Sequence, residues 1–370
     1  MSDQEAITES LPPETRARTT KSRGFWGETW ARFRQRKLAM SALVFVLGLT
    51  LVAMLAPAIV GTRPIVVKYK GSIYFPAMGY FNSSWENPVF ARDKFRRRYP
   101  SNLQEKDPES WAIWPLIYQD PYRRVYDDEW PGMPGNPTGS DGHPNRYNIM
   151  GTDTRGVDVF AQLVHGTTVA LLVGFVSMGI ATVIGVTFGA IAGYAGGWVD
   201  MLFSRIIEIV LCIPALVLIL ALLAIVERPT IWHLMAVIGC TRWTGIARLT
   251  RAEFLRLKEM EFVAAARALG LGRTRIIVRH ILPNSLAPVL VPVTFGIASA
   301  ILIESGLSFL GFGAPPPEPS WGKLLKDGRS HLEMWWLIVF PGFAIFMAVL
   351  SYNLIGEGIQ EATDPRLRDT

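Results

Sequence analysis

The run Leu38–Val60, LAMSALVFVLGLTLVAMLAPAIV, carries no charged residue from end to end. A stretch of this length and polarity matches a helix crossing the hydrocarbon core of a bilayer, about 30 Å thick. There every backbone N–H and C=O must be bonded within the protein, which leaves little but helix. Five more apolar blocks follow, at about Thr167–Tyr194, Arg205–Val226, Thr230–Ala247, Leu286–Leu310 and Met334–Leu354. The expectation is an all-α polytopic membrane protein with six transmembrane helices. Composition agrees, at 50% hydrophobic and 18% charged residues, where a soluble domain is nearer a quarter charged.

Charge sets the orientation. Residues 1–23 read as a disordered tail. Residues 24–37, GFWGETWARFRQRK, space Phe25, Trp26, Trp30 and Phe33 among four basic residues, as a basic amphipathic helix at the inner membrane surface would. Both termini are expected in the cytoplasm. The net charge of +6, with no recognition motif, reads as cytoplasmic loops against membrane lipid; no nucleic-acid partner is expected. The chain divides into the cytoplasmic segment 1–37, the first span 38–60, an external insertion 61–148, a core 149–358 with five spans, and a tail 359–370. The insertion opens on IVVKYKGSIYFP, a strand-and-turn pattern, so a small β-rich cap is expected between the first two spans. Its run Arg96-Arg97-Arg98 reads as a solvated face.

Before the second span, Asp153 is placed to cap an interfacial helix within Ile149–Val164. Gly185, Gly189 and Gly193 repeat at four-residue spacing, which lets a neighbouring helix approach closely. Glu208 and Glu304 are the carboxylates well inside apolar blocks. Glu208 reads either as an ion-coupling group or, more simply, as the partner of Arg205 one turn away. Glu304 is expected to bond within the bundle. Cys212 and Cys240 are read as buried apolar residues, and His165 and His233 as interfacial packing. Gly311–Trp321 reads as a proline-rich turn, and Gly322–Glu333 as a polar external surface. The fourth block is the weakest, interrupted by Arg242 and Trp243.

Between the fourth and fifth blocks lies Glu253–Asn284, EFLRLKEMEFVAAARALGLGRTRIIVRHILPN, too charged to span. Its alanines form helix, Gly270-Leu271-Gly272 stops it, and a second short helix from Arg273 is expected to end at Pro283. Topology places this hairpin in the cytoplasm. The chain has no GxxxxGK[ST] phosphate loop, HExxH, GxSxG or Cys-x-x-Cys, so no cofactor, metal or catalytic residue is expected and the protein is not read as an enzyme. A solute is then moved either by ion coupling, as in a secondary transporter, or by an external engine acting through the hairpin.

The hairpin resembles the cytoplasmic signature of the permease subunits of ATP-binding-cassette importers. Ala264-Ala265-Ala266, Gly270 and His280-Ile281-Leu282-Pro283 fit its spacing; Ala264 stands where a Glu is usual and His280 where an Ile is usual. Gly151–Asp158 (GTDTRGVD), Glu304–Gly313 (ESGLSFLGFG) and Asn353–Gly358 with Asp364–Arg368 (NLIGEG, DPRLR) resemble motifs of the oligopeptide/dipeptide/nickel class. The enlarged outer loop is most similar to that of microcin C and oligopeptide permeases. The resemblance implies transport of peptides or peptide-like solutes across a bacterial inner membrane, with a periplasmic insertion. It implies a second homologous permease subunit, two ATPase subunits holding ATP and magnesium, and a periplasmic substrate-binding protein. It also implies that Glu261, Ala264, Ala265, Ala266, Arg267, Leu269, Gly270, Arg273 and Pro283 couple the chain to the ATPases, with Glu261 one turn before Ala264 partly replacing the missing carboxylate.

Overall fold

The computed structural model describes residues 25–95, 98–130, 132–313 and 318–363. The expected tail 1–23, Arg96-Arg97 of the arginine run, residues 314–317 of the proline turn and the DPRLR segment lie outside the described residues.

Helix α1 (Phe25–Gln35) leads into α2 (Lys37–Ile59). α1 lays Phe33 against Gly358 near the chain's end, and Arg36 pairs with Glu361 at 2.9 Å. Strands β1 (Val66–Tyr69) and β2 (Ser72–Tyr74) form a hairpin. Lys70 (φ +49°) and Gly71 (φ +79°) make its turn, both with positive φ, which matches the right-handed twist of the strands. Short helices α3 (Pro88–Arg92) and α4 (Tyr99–Lys106) precede β3 (Trp111–Ile113). The sheet order is β2-β1-β3, antiparallel throughout, with Val67 facing Tyr74 on one side and Ala112 on the other. The sheet is smaller than the β-rich pattern suggests. An aromatic cluster of Tyr69, Phe90, Phe95 and Tyr99 with Val67 and Leu103 holds this region together, because large rings bury more apolar area per residue than three short strands offer. Arg98 pairs with Asp128.

The second apolar block belongs to a longer helix, α5 (Val159–Ala195), with no separate interfacial helix before it. Asp158, rather than Asp153, caps it, accepting the Ala161 N–H at 2.8 Å. Asp153 instead closes the preceding turn, accepting the N–H groups of Arg155 and Val157, each at 2.9 Å. Both aspartates precede a helical pattern, and the turn at Gly151 and Gly156 (φ +76° and +78°) decides which one reaches the free N–H groups.

The third block is broken. α6 (Gly197–Cys212) and α7 (Ala215–Ala224) meet at 87° across Ile213-Pro214, since a proline lacks the N–H to continue the ladder. The fourth block lies in α8 (Ile231–Leu257), which runs ten residues beyond Ala247 and collects Arg248, Arg251, Glu253 and Arg256. α5 and α8 pack backbone to backbone along the glycine stripe. A Cβ on Gly189 would stand 2.5 Å from the Ala247 oxygen, and one on Gly193 2.7 Å from the Arg251 oxygen.

α9 (Glu261–Ala268) and α10 (Arg273–Ile276) follow, then a π turn over residues 277–281 and α11 (Leu282–Leu310). Pro283 therefore does not end a helix. The wider π turn rearranges the ladder just where the proline N–H is missing, and the rod runs unbroken from Arg273 to Leu310. α12 (Trp321–Ser330) covers the stretch expected as a polar surface, yet buries Trp321, Gly322, Leu324 and Gly328 against the bundle. α13 (Trp336–Thr363) closes the chain.

Among the described residues, four helices are long and apolar enough to cross a membrane: α2, α5, the Arg273–Leu310 rod and α13. The bent pair α6–α7 makes up to five. Cys212 and Cys240 are exposed on the isolated chain, not buried. Both lie among apolar neighbours that give no hydrophobic period to distinguish the inward face from the outward one.

Candidate functional site

The hairpin between α8 and α11 is built on a small core of its own. Phe254 and Leu257 from the end of α8, Val263 and Ala266 from α9, and Ile276 and Ile281 beyond it are all buried together. α8 is pinned beneath it by two contacts with neighbouring elements. Arg251 Nη2 donates to Asp200 of α6 at 2.7 Å, and Lys258 Nζ donates to the Gly193 carbonyl of α5 at 3.2 Å. The base of the hairpin is thus tied to two other helices.

α9 ends in a complete Schellman closure. The Leu271 N–H reaches back to the Ala266 oxygen at 3.1 Å and the Gly270 N–H to the Arg267 oxygen at 2.9 Å. Gly270 has φ +75° with nothing within 4 Å of where a Cβ would stand. The glycine is required by its backbone conformation rather than by space. Arg267 Nη2 donates to the Lys258 carbonyl at 3.3 Å, bracing the helix across the turn.

This geometry divides the sequence-derived site residues. Glu261, Ala264, Ala265, Arg267, Leu269, Gly270, Arg273 and Pro283 are exposed, while Ala266 faces inward with Val263. Ala266 therefore supports the helix and offers no surface. Exposed apolar side chains missing from that set join the outward face: Phe262 at 38% and Met260 at 42% exposure, beside Leu269 at 81%. Phe262, Ala265 and Leu269 follow an i, i+3, i+7 spacing, a second helical stripe beside the buried one. The stripe is legible in the sequence, but nothing there says which of the two faces the chain covers. A short helix with apolar residues on both faces and basic residues at its end is suited to seating in a partner's groove.

Glu208 and Glu304 are not brought to this hairpin or to each other. Glu208 accepts from Arg205 Nη1 at 2.6 Å on an exposed face. Glu304 is 1% exposed. Its Oε1 accepts from Ser308 and Ser320, each at 2.7 Å, clasping α11 to the start of α12. Gly313 lies so close to Ser308 that a Cβ there would clash with it. The Trp336 indole donates to the Thr152 carbonyl at 2.9 Å and the Trp321 indole to Leu163 at 3.0 Å. The ESGLSFLGFG and GTDTRGVD motifs thus fasten the ends of α11, α12 and α13 to the start of α5. His165 Nε2 lies 2.8 Å from the Val60 carbonyl, and His233 closes a capping box with Thr230.

Comparison with known proteins gives the same outline. Residues 185–369 match the family described as binding-protein-dependent transport system inner membrane component, and residues 24–70 match the N-terminal transmembrane domain of oligopeptide transport permease C. A dipeptide transport system permease protein of Alkalihalophilus pseudofirmus is 42% identical over 63% of this chain and 77% of its own length. The inner membrane ABC transporter permease protein YejE of Escherichia coli is 34% identical over 91% of this chain and 96% of its own. A structure of the MetNI methionine ABC transporter aligns at a TM-score of 0.43 and 18% identity over 54% of this chain and 96% of that one. The match spans the hairpin and the helices that hold it and extends over nearly all of the Escherichia coli permease, so the chain belongs to the family of inner-membrane components of binding-protein-dependent transport systems.

Proposed function

We propose that this chain is the membrane-spanning permease subunit of an ATP-driven importer, that its solutes are peptides or peptide-like molecules, and that the 261–273 hairpin is where the ATPase subunits act. The peptide assignment rests on the relatives whose names include dipeptide and oligopeptide transport. ATP hydrolysis belongs to the partner subunits, which hold the nucleotide and magnesium, and a periplasmic binding protein delivers the solute. A second, homologous permease completes the pore. Six spans, with α8 and the α6–α7 pair included, put both termini and the hairpin in the cytoplasm and the sheet-bearing insertion in the periplasm. α8 carries too much charge for lipid on all sides, but its contact with α5 and a partner permease supplies a protein lining.

The observation that carries this reading is the exposed apolar stripe on a helix whose other face and both ends are fixed by the chain. Ion coupling has no comparable support, since Glu208 and Glu304 are each held by a neighbour. Movement of the ATPases would push α9, and the Schellman closure would pass the push to the rod. Leu269→Arg tests this. Leu269 is 81% exposed, so the variant should insert and fold normally while ATPase co-purification and ATP-driven uptake fall at least ten-fold. Full co-purification and full uptake in that variant would remove the hairpin from the coupling interface.

A further inference from the structure

The bend between α6 and α7 opens a cavity of about 380 Å³ against α8. Ile213, Pro214 and Ala215 line it from the bend, and Arg242, Thr244 and Arg248 from α8. Arg242 is the twelfth of the 27 residues of α8, about 16 Å along a helix about 40 Å long. On the proposed six-span topology the cavity therefore lies near mid-depth of the membrane.

The arginines of α8 fall into two pairs. Arg251 holds Asp200 and Arg256 holds Glu253, each at 2.7 Å. Arg242 and Arg248, the two in the cavity, have no carboxylate within ion-pair distance among the described residues. Arg242 Nη2 donates to the Ser299 hydroxyl at 2.6 Å, and its Nε is buried without a partner. A guanidinium has five N–H donors in a rigid fork that matches a carboxylate, and leaving one unpaired in an apolar bundle is costly. The backbone at the bend adds to the same field. α7 starts at Ala215, which lines the cavity, without a side-chain cap, so its first N–H groups are left without an intrahelical partner at the cavity wall.

We infer that this cavity receives the carboxylate of the translocated solute, with Arg242 as the bidentate contact and Arg248 as the cytoplasmic-side charge that draws the anion onward. This inference rests on the peptide-importer reading, since every linear peptide with a free C-terminus carries such a group. The arrangement favours acids over the corresponding amides in the pore itself, beyond any choice made by a binding protein. It also favours a solute over an acidic side chain as occupant, because a resident acid would neutralise the cavity that the solute must enter and leave.

The test uses the whole transporter, with both permeases, the ATPases and the binding protein, reconstituted in vesicles. Uptake of a tripeptide and of its C-terminal amide is measured, each at a concentration that saturates the binding protein. The expected result is an acid-to-amide uptake ratio that drops about ten-fold in R242Q, is partly restored in R242K, and drops less in R248Q. Arg248 is exposed, so R248Q keeps the test open if R242Q does not assemble. Equal loss for acid and amide would overturn the inference and point to an acidic residue of the second permease. An unchanged ratio with altered co-purifying anionic lipid would overturn it in favour of a headgroup site. Loss of ATP dependence in the wild type would instead defeat the importer reading, so the two failures are distinguishable.

Discussion

Asp158 shows how a single side chain sets a boundary. It is 1% exposed, accepts the Ala161 N–H at 2.8 Å and the Asn148 amide at 2.7 Å, and starts the 37-residue helix α5. Burial pushes its carboxyl up to about 6, against the neighbouring N–H donors that favour the charged form. A carboxyl raised in the folded state contributes most below its unfolded value of about 4 and loses that contribution as pH rises through about 6. Asparagine caps a helix as well as aspartate but does not titrate. The stability of the wild type relative to Asp158→Asn should therefore fall by about 1.4 kcal/mol between pH 5 and pH 7, seen as a falling relative melting temperature. A difference that does not vary with pH would sink this account. Asp153, five residues earlier, illustrates the limit of sequence reading at this scale. Both aspartates carry the capping signal, and only the path of the turn through Gly151 and Gly156 chooses between them.

Among the elements, the α5–α8 pair is the most closely packed. Gly185, Gly189 and Gly193 face α8, and Gly239 of α8 faces back, with a Cβ there 2.8 Å from the Ser177 oxygen. The glycine spacing was legible in the sequence, and so was the close approach it permits; the identity of the neighbour was not, because apolar helices carry no pattern that says which turns towards which. Gly189→Leu should destabilise the protein by about 3 kcal/mol through overpacking against backbone that cannot retreat, seen as lower yield and a lower melting temperature in detergent. Gly179→Ala is the control, since nothing lies within 4 Å of its Cβ position; an equal loss in both would mean that the stripe is not what holds the pair. The same blindness to rotation explains why Cys212 and Cys240 were expected inside and lie outside. Pro214 and Pro283 look alike in sequence, each a proline after apolar residues. One breaks its helix by 87° and the other is absorbed by a π turn. The backbone just before each proline differs: Ile213 is extended (φ −92°, ψ 125°), whereas the π turn carries helical backbone up to Leu282.

For the whole molecule, the legible part was the alternation of apolar blocks with one basic hairpin, because the bilayer imposes it on the sequence. The illegible part was what the blocks hold between them, including the 380 Å³ cavity and the fastening of α12 into the bundle. The proposed topology puts β2 and the tip of the hairpin on opposite sides of the membrane. Cysteines introduced singly at Ile73, 59% exposed, and Leu269 report this once the two native exposed cysteines are replaced. A membrane-impermeant maleimide should label Ile73→Cys in intact spheroplasts and Leu269→Cys only after permeabilisation. The reverse pattern would invert the chain.

The rod from Arg273 to Leu310 has a mechanical consequence. Its 38 residues span about 57 Å, but its stiffness is uneven. A π turn and Pro283, Pro288 and Pro292 fall within its first 20 residues, and each proline removes a bond from the ladder. The stretch after Pro292, up to the serine clasp on Glu304, contains no further proline. The element is thus a flexure joined to a strut. On the proposed coupling, force entering at the hairpin would be taken up first as curvature over residues 277–292, before the strut tilts. A compliant coupling of this kind tolerates small misfit at the driven end and transmits large, sustained strokes in preference to thermal jitter.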